Sequence, residues 1–500
     1  MKPPEGAYRF GPLERRGFLA GLRLSQVAAL ALGTAVCVLA VASSRSPSAA
    51  AAAIAAAVLV VAATFVRVGA GTADQWLPLA VRQMWRRIRG RDRHLSVAPL
   101  LGHTHRGGPP VSPPDSLDGV SLVSVEDPAA LPVGVPAGIG VLRDERAGTC
   151  TGVLRVRGRG FTLLDPGDQA REVEAWSGIL AALGREQSLA RRLQWIERTL
   201  PETGETAARH LGESVRLPFS DQGVEAYLSL LEESRASSRV HETLVALQLD
   251  RARAARAGEQ RDDPELGAYV TLTRELESLA ARLQESGLQV EGALPPRALA
   301  LALRLAFEPN AAGGLALLAT SRGLPGIHPD GAWPLATACA WSHFRAGAAL
   351  HAAYWVREWP RTPVGPDFLA PLLLQTSCAR TVAMVMEPIP PHRARREAEA
   401  ARVADASDEQ MRRRAGFVTS ARRSREQEQV LAREGEIADG HSDLRFSAYV
   451  LASAASGEEL HRACAEVEQQ AAQARLELAR LDGAHDLAFT YCLPLGRGLA

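Results

Sequence analysis

Apolar positions near the start of the chain form two uninterrupted runs. Residues 24–42 and 49–66 carry no charge, and a short linker of serines with one arginine and one proline separates them. At about 1.5 Å per helical residue each run would span roughly 27 to 29 Å, close to the ~30 Å hydrocarbon core of a bilayer. The pattern predicts a transmembrane helical hairpin, in which small residues such as Gly33 would let the two backbones pack closely.

Basic residues on both sides of these runs predict an orientation. They cluster within residues 1–23 and 67–93, whereas the linker holds only Arg45. The positive-inside rule then places both termini in the cytoplasm and the chain in the cell membrane as a multi-pass protein. Two alternatives stay open: residues 40–42 look like a signal-peptidase site, and the hairpin could lie buried inside a soluble protein.

The segment 67–100 predicts a juxtamembrane amphipathic helix. Leu77, Val81, Met84 and Ile88 recur at helical spacing, and arginines fill the other side. A helix of this kind, with tryptophan at the boundary, fits a membrane surface. The alternative is a helix that packs into the core with a solvated arginine face. The residues expected at the membrane surface are Trp76, Arg82, Trp85, Arg86, Arg87 and Arg89.

The rest of the chain predicts an α+β (mixed α/β) fold. Short β-rich runs occupy 120–164, the last of them at 161–164, with a hairpin turn at 144–148. Strands then alternate with helices, and the final run at 489–495 is predicted as a closing strand. The predicted segments are a basic cytoplasmic lead-in (1–23), the hairpin (24–66), the juxtamembrane helix (67–100), a Pro/Gly linker (101–119), a cytoplasmic α/β domain (120–390), a long charged helical insertion (391–440) and a closing β-α-β-β segment (441–500).

Composition excludes several classes of function. A formal net charge of +1 over 500 residues argues against a global nucleic-acid footprint, so no direct nucleic-acid binding is expected. The six cysteines are scattered, as is typical of reduced thiols in a cytoplasmic domain. Lys2 is the only lysine, and its neighbours do not form a Walker A loop. We therefore predict that the chain is no motor ATPase and has no lysine Schiff-base chemistry.

Candidate catalytic residues are few. His343 and His351 lie among aromatic residues near Cys339 and Glu358, the one place where a cysteine–histidine site can be drawn. Cysteines and histidines on apolar segments are more often core residues, and the two histidines of the 101–119 linker lack further metal ligands nearby. We predict no catalytic, cofactor-binding or metal-binding residue, and no enzyme activity.

Two resemblances to known families bear on function. Residues 8–16, the two apolar runs and residues 76–102 resemble integral membrane proteins of actinobacterial conjugative-element clusters, with paired spans of the PrgI or VirB type. Residues 351–360, 364–374 and 381–402 are similar in order to the N-terminal, non-ATPase part of conjugation ATPases of the CagE/TrbE kind. The ATPase half of that family is missing. The chain also resembles EccE of type VII secretion, which begins with basic residues, two spans and an α/β cytoplasmic domain.

These resemblances imply different partners. The first implies a non-enzymatic inner-membrane subunit of a conjugation-type (type IV-like) secretion apparatus that docks a separate conjugation-type ATPase. Other secretion-apparatus membrane subunits, membrane lipid and a second copy of the chain are further expected partners. The alternative is a type VII membrane component like EccE, and a membrane-tethered enzyme of unrecognised chemistry is a third hypothesis. Docking is expected on the charged helical insertion together with the aromatic segment 354–368, best through four apolar positions of the insertion: Val403, Met411, Phe417 and Val430.

Overall fold

Two long helices lie at the start of the structure. The computed structural model describes Phe10 and residues 24–43, 47–65, 67–68, 71–96, 112–125, 138–158, 160–185, 187–202, 211, 214–216, 218, 221–235, 238–258, 263–315, 326–414, 435 and 443–499. Helices α1 (Leu24–Ser43) and α2 (Pro47–Phe65) pack together. A Cβ atom placed on Gly33 would lie 2.5 Å from Val61 Cγ2, so this approach requires glycine.

The transmembrane hairpin predicted over 24–66 is wrong. Across the ranges given above, no helix is both long and apolar enough to cross a membrane. The prediction weighed the absence of charge, whereas alanine is the commonest residue of both helices and adds little apolar surface per position. What remains correct is the pair of helices and their close packing at Gly33.

Thirteen strands form one sheet in the described part of the chain, and every pair of neighbours is antiparallel. Ahead of it, the short strands β1 (Arg67–Val68) and β2 (Gly71–Thr72) pair next to α3 (Ala73–Ile88). The strands of the large sheet are β3 (Arg93–Leu95), β4 (Val120–Val125), β5 (Ile139–Asp144), β6 (Thr149–Arg157), β7 (Ala190–Pro201), β8 (Arg239–Asp250), β9 (Gln289–Ala293), β10 (Ala336–Cys339), β11 (Phe344–Ala346), β12 (Ala349–Glu358), β13 (Ala379–Ile389), β14 (Asp443–Ala454) and β15 (Glu477–Arg480).

Helices alternate with these strands along the chain. They are α4 (Pro166–Leu183), α5 (Gln222–Arg235), α6 (Arg251–Ala257), α7 (Pro264–Glu285), α8 (Pro296–Phe307), α9 (Ala370–Leu374), α10 (Pro391–Arg414), α11 (Gly457–Gln473) and α12 (His485–Tyr491). The antiparallel pairing makes the fold α+β rather than mixed α/β. Two predicted strands are also wrong: Phe161–Leu163 is a 3₁₀ turn, and the run at 489–495 begins inside α12.

The sheet is built from two copies of one arrangement. In the first unit the hairpin β5–β6 is followed by α4, β7, α5, β8, α6 with α7, β9 and α8; in the second, β11–β12 is followed by α9, β13, α10, β14, α11, β15 and α12. The spatial order is β5-β6-β8-β7 in one unit and β11-β12-β14-β13 in the other. The short strands β9 and β15 pair with β6 and β12, each with one register shift. The order of elements and their pairing therefore indicate an internal duplication.

The hairpin turns of the two units share a sequence as well as a position. Arg-Ala-Gly occurs at both hairpins: residues 146–148 lie in the β5–β6 turn, and residues 345–347 cover the end of β11 and the start of the turn that follows. The glycines have φ values of 64° for Gly148 and 56° for Gly347, a left-handed conformation that other residues rarely adopt. The same backbone requirement thus keeps glycine at the same point in both units.

Both faces of the sheet are covered. On one face α8 and α12 pack against strands of both units around Phe307 and Phe489, whose ring centres are 4.8 Å apart. On the opposite face the first unit packs under α4, α6 and α7, and the second under α9 and α11. The first face is therefore a single core shared by the units, whereas the other face has one core for each unit.

The units join where β7 pairs with β13, in a register that sets Ile196 opposite Ala383. Arg380 is fully buried at this seam and forms an ion pair with Glu197 of the other unit. Its Nε donates to Thr376 Oγ1 at 2.7 Å, and a guanidinium nitrogen donates to the Leu373 carbonyl. These three partners surround the guanidinium, so the buried positive charge of Arg380 is compensated at the seam.

We expect Arg380→Ala to lower the free energy of unfolding by about 3–5 kcal/mol, because it leaves the buried Glu197 carboxylate without its guanidinium partner. The ring of His241, whose Nδ1 lies 2.6 Å from Glu197 Oε1, is then the remaining partner of this carboxylate. The matched control is Arg393→Ala, which removes an exposed ion pair with Glu397 one helical turn away and should cost about 0.5 kcal/mol or less. Urea unfolding of both variants measures the difference. Equal losses would show that the seam does not depend on this pair.

His351 connects three elements inside the shared core. Its Nδ1 lies 2.8 Å from Ser453 Oγ in β14, and its Nε2 lies 2.9 Å from the carbonyl of Phe307 at the end of α8. A neutral ring suits these partners, since Nε2–H donates to the carbonyl and Nδ1 accepts from the hydroxyl. Complete burial lowers the pKa of His351 to about 4.

The lowered pKa of His351 predicts a pH-dependent loss of stability. The unfolded chain takes up this proton below about pH 6.5 and the folded chain only near pH 4, so stability falls as the pH drops through that window. Between pH 7 and pH 5 we expect the wild-type chain to lose about 2 kcal/mol more than His351→Gln, whose side chain does not titrate. Urea unfolding at the two pH values checks this, and parallel losses would contradict it.

Candidate functional site

The helix predicted to lie on a membrane surface, α3, packs against the end of the second unit. Gln83 is buried and its Nε2 donates to the carbonyl of Cys339, in β10, at 2.9 Å. The ring centres of Trp76 and Trp341 are 5.8 Å apart. The contacting positions of α3 follow helical spacing, so one side of the helix faces the sheet. That side is mixed: it carries the polar Gln83 and Arg86 together with Trp76 and the half-buried Leu79.

An ion pair fixes the C-terminal half of α3. Arg86 Nη1 lies 2.7 Å from Asp486 Oδ2 in α12, and the two side chains are 18% and 5% exposed. Burial opposes the charge on Arg86, but the Asp486 carboxylate outweighs burial and raises the pKa of the guanidinium. Arg86 is therefore charged at neutral pH, and its partner Asp486 compensates this charge in a largely buried contact.

The cysteine beside this contact is not activated. Burial, together with the nearby Asp486 carboxylate, raises the pKa of Cys339 to about 12, so its sulfur is a protonated thiol at neutral pH. His351 directs both ring nitrogens to Ser453 and Phe307 instead, and Glu358 forms an ion pair with Arg361. The structure does not assemble the cysteine–histidine site drawn from the sequence. Among the residues with a described placement, no cluster of three or more potential metal ligands occurs.

The other side of α3 is apolar and exposed. Leu77, Val81, Met84, Trp85 and Ile88 are between 41% and 73% exposed. Arginines lie beside this stripe, and the Arg89 guanidinium carbon is 5.0 Å from the centre of the Trp85 ring, a cation–π contact. Of the six residues predicted at a membrane surface, Trp76 and Arg86 contact the domain, whereas the other four are exposed: Arg82, Trp85, Arg87 and Arg89.

Sequence reasoning missed Gln83 and Asp486, the polar groups that hold α3 in place. Gln83 gave a local signal, because it is the one uncharged polar residue between Leu77 and Ile88. Asp486 gave none, since it lies 400 positions from Arg86 along the chain. Which side of an amphipathic helix packs inward depends on such distant partners.

The predicted docking face on the charged helix is described only in part. Val403, on α10, is 65% exposed. Met411 lies in α10 but its side chain is outside the described part, as are Phe417 and Val430. The start of α10 packs through small residues, because Ala394 and Ala398 are buried with Ile389.

The aromatic segment proposed beside α10 is engaged within the chain. Phe10 stacks on Trp359 with ring centres 4.9 Å apart and lies 5.2 Å from the ring of Phe368. Tyr354 is buried and its hydroxyl donates to Glu468 Oε1 at 2.8 Å. These side chains therefore serve internal packing.

We expect Asp486→Ala to loosen α3 by about 2–3 kcal/mol, because Arg86 is then left in a half-buried position without a counter-charge. Hydrogen exchange of the amides near Arg86 should accelerate, while those of β7 keep their protection. Asp118→Ala is the matched control, since it removes an exposed pair with Arg146. Unchanged exchange in α3 would show that the ion pair does not hold the helix.

Comparison with known families places a likeness in the middle of the chain. Residues 237–356 match the family model described as EccE, a putative type VII ESX secretion system translocon. The matched stretch is about a quarter of the chain. It runs from β8 of the first unit into β12 of the second and includes β10, the strand that α3 contacts through Gln83. No curated protein matches the chain. The match favours the type VII alternative and gives no support to the conjugation interpretation. Over this stretch the chain is similar to EccE. This similarity supports the interpretation of the chain as a component of a secretion system.

Proposed function

We propose that this chain is a non-enzymatic component of a type VII secretion membrane complex, with a role like that of EccE. The observation that carries the proposal is the family match over residues 237–356. The match covers β8, β9, α7 and α8 of the first unit and reaches into the first hairpin, β11–β12, of the second. Its partners are other membrane subunits of the apparatus, and its location is the cell membrane.

The chemistry of the domain agrees with a structural role. Burial raises the pKa values of Cys150, Cys378 and Cys492 to about 12, as it does for Cys339, so these thiols are poor nucleophiles at neutral pH. Lys2, the only lysine, has no Walker A context. A large folded domain of this kind most readily acts by presenting a surface to other proteins.

Within this function, α10 is the proposed docking helix. Its outer side bears many charges, among which Val403 is a large apolar side chain with 65% exposure. An exposed valine surrounded by charged residues suits the centre of a small protein contact with a polar rim.

The test is affinity purification of the full chain from its native host in a mild detergent, followed by quantitative mass spectrometry. We expect type VII membrane subunits to co-purify in fixed proportion to the chain. Recovery of a conjugation-type ATPase in their place would overturn the proposal.

Val403→Glu should reduce recovery of a partner at least tenfold, the effect of losing about 1.4 kcal/mol at a contact centre. Leu374→Glu is the control, because Leu374 is also exposed but lies at α9. Undiminished recovery with Val403→Glu would reject α10 as the docking helix while leaving the proposed function standing.

A further inference from the structure

The polarity of α3 is opposite to that of a helix packed on a protein core. Gln83 and Arg86 face inward, where they contact Cys339 and Asp486. Five large apolar side chains face outward, with Ile88 73% exposed, whereas Trp76 and Leu79 are half-buried on the inward side. A surface helix ordinarily buries its apolar stripe against the core and exposes its polar side. An apolar stripe held outward by buried polar contacts indicates a surface that is covered by something other than the sheet.

The exposed side has a regular arrangement. At 100° per residue, Leu77, Val81, Met84 and Ile88 fall within one stripe, roughly opposite the side that contacts β10 and α12. Arg82 and Arg89 border the stripe on one side, and Arg87 borders it on the other. Residues 76–89 contain no aspartate or glutamate. The arginines therefore impose an unopposed positive potential along both borders of the apolar stripe.

Both the apolar area and the charge match an anionic bilayer surface. A helix lying in the interface buries its apolar face at the boundary between headgroups and acyl chains, while arginines on its flanks contact lipid phosphates. Tryptophan favours the same depth, where its ring is apolar and its N–H is hydrated. A partner helix would need acidic residues along both sides of an apolar stripe, whereas anionic lipid supplies negative charge on every side.

We propose that α3 binds an anionic lipid surface through Leu77, Val81, Met84, Trp85 and Ile88, with Arg82, Arg87 and Arg89 on the headgroup phosphates. Arg86 is a positioning residue, because its pairing with Asp486 fixes the rotation of α3 that turns the apolar stripe outward. This assignment names a lipid partner for the proposed secretion component, but it rests on the geometry of α3 and not on the family match.

The test monitors Trp85 itself, so that apolar surface on α1 and α2 does not obscure the result. The purified full chain is mixed with vesicles of brominated phosphatidylcholine, with or without an equal share of brominated phosphatidylglycerol. Bromine quenches tryptophans that reach the acyl chains. We expect anionic vesicles to quench a component of the emission that disappears in Trp85→Phe and persists in Trp176→Phe, whose indole packs inside the first unit.

Two further variants test the charge and the positioning. Replacing Arg82, Arg87 and Arg89 together by glutamine should abolish the difference between anionic and neutral vesicles. Asp486→Asn should reduce Trp85 quenching, since α3 is then free to rotate. Thermal unfolding checks that the domain of this variant stays folded.

The proposal is overturned if Trp85→Phe is quenched as strongly as the wild-type chain. It is also overturned if Trp85→Glu leaves quenching unchanged but removes co-purifying subunits, which would assign the stripe to a protein partner. Because the vesicle assay uses the chain alone, it can succeed or fail independently of the co-purification test.

Discussion

The continuity of the sheet depends on the pairing of β7 with β13. Within each unit, the first hairpin strand (β5 or β11) lies farthest from this seam, and β7 or β13 lies next to it. The two units therefore meet through one antiparallel pair of strands. One buried ion pair crosses the seam, between the fully buried Arg380 and Glu197. Beside it, on the other face of β7, Arg198 pairs with Glu242 and donates to the Ala302 carbonyl at 2.6 Å, both within the first unit. Hydrogen bonds to these charges compensate for their removal from water, which makes the seam specific as well as stable.

Local pattern was enough to predict many elements. The β-rich run that follows the hairpin turn at 144–148 is strand β6, and the one helix predicted in the closing segment 441–500 is present as α11. Such elements follow from side-chain periodicity and capping residues within a few positions, as when Ser456 caps the N-terminus of α11. The sequence could not predict that helix-linked strands pair antiparallel, because pairing joins residues far outside a local window, as when Trp195 lies opposite Val245. The internal duplication could not be recognised from the sequence either, because the two units share their order of elements but few of their residues.

The candidate site illustrates the same division. The amphipathic character of α3 was readable from spacing alone, and four of the six residues predicted at its outer surface are exposed. The inward direction of its polar side was not, since it depends on Cys339 and Asp486 in distant elements. The prediction over 24–66 failed for another reason: lack of charge was taken for hydrophobicity in alanine-rich helices. A pattern of apolar positions predicts which residues share one side of a helix, whereas the rest of the fold determines what that side contacts.

The arrangement of the two units has a consequence for synthesis of the chain. Strand β7 is complete at residue 201, yet the strand that covers its second edge begins only at residue 379. At about 5–20 residues per second, a ribosome takes on the order of ten seconds or more to make the chain between them. During that interval the first unit presents an open strand with unpaired backbone groups, a site for pairing with another nascent chain. Pairing with β13 then covers this open edge of β7. Conditions that slow translation between residues 201 and 379 should therefore favour aggregation over correct folding.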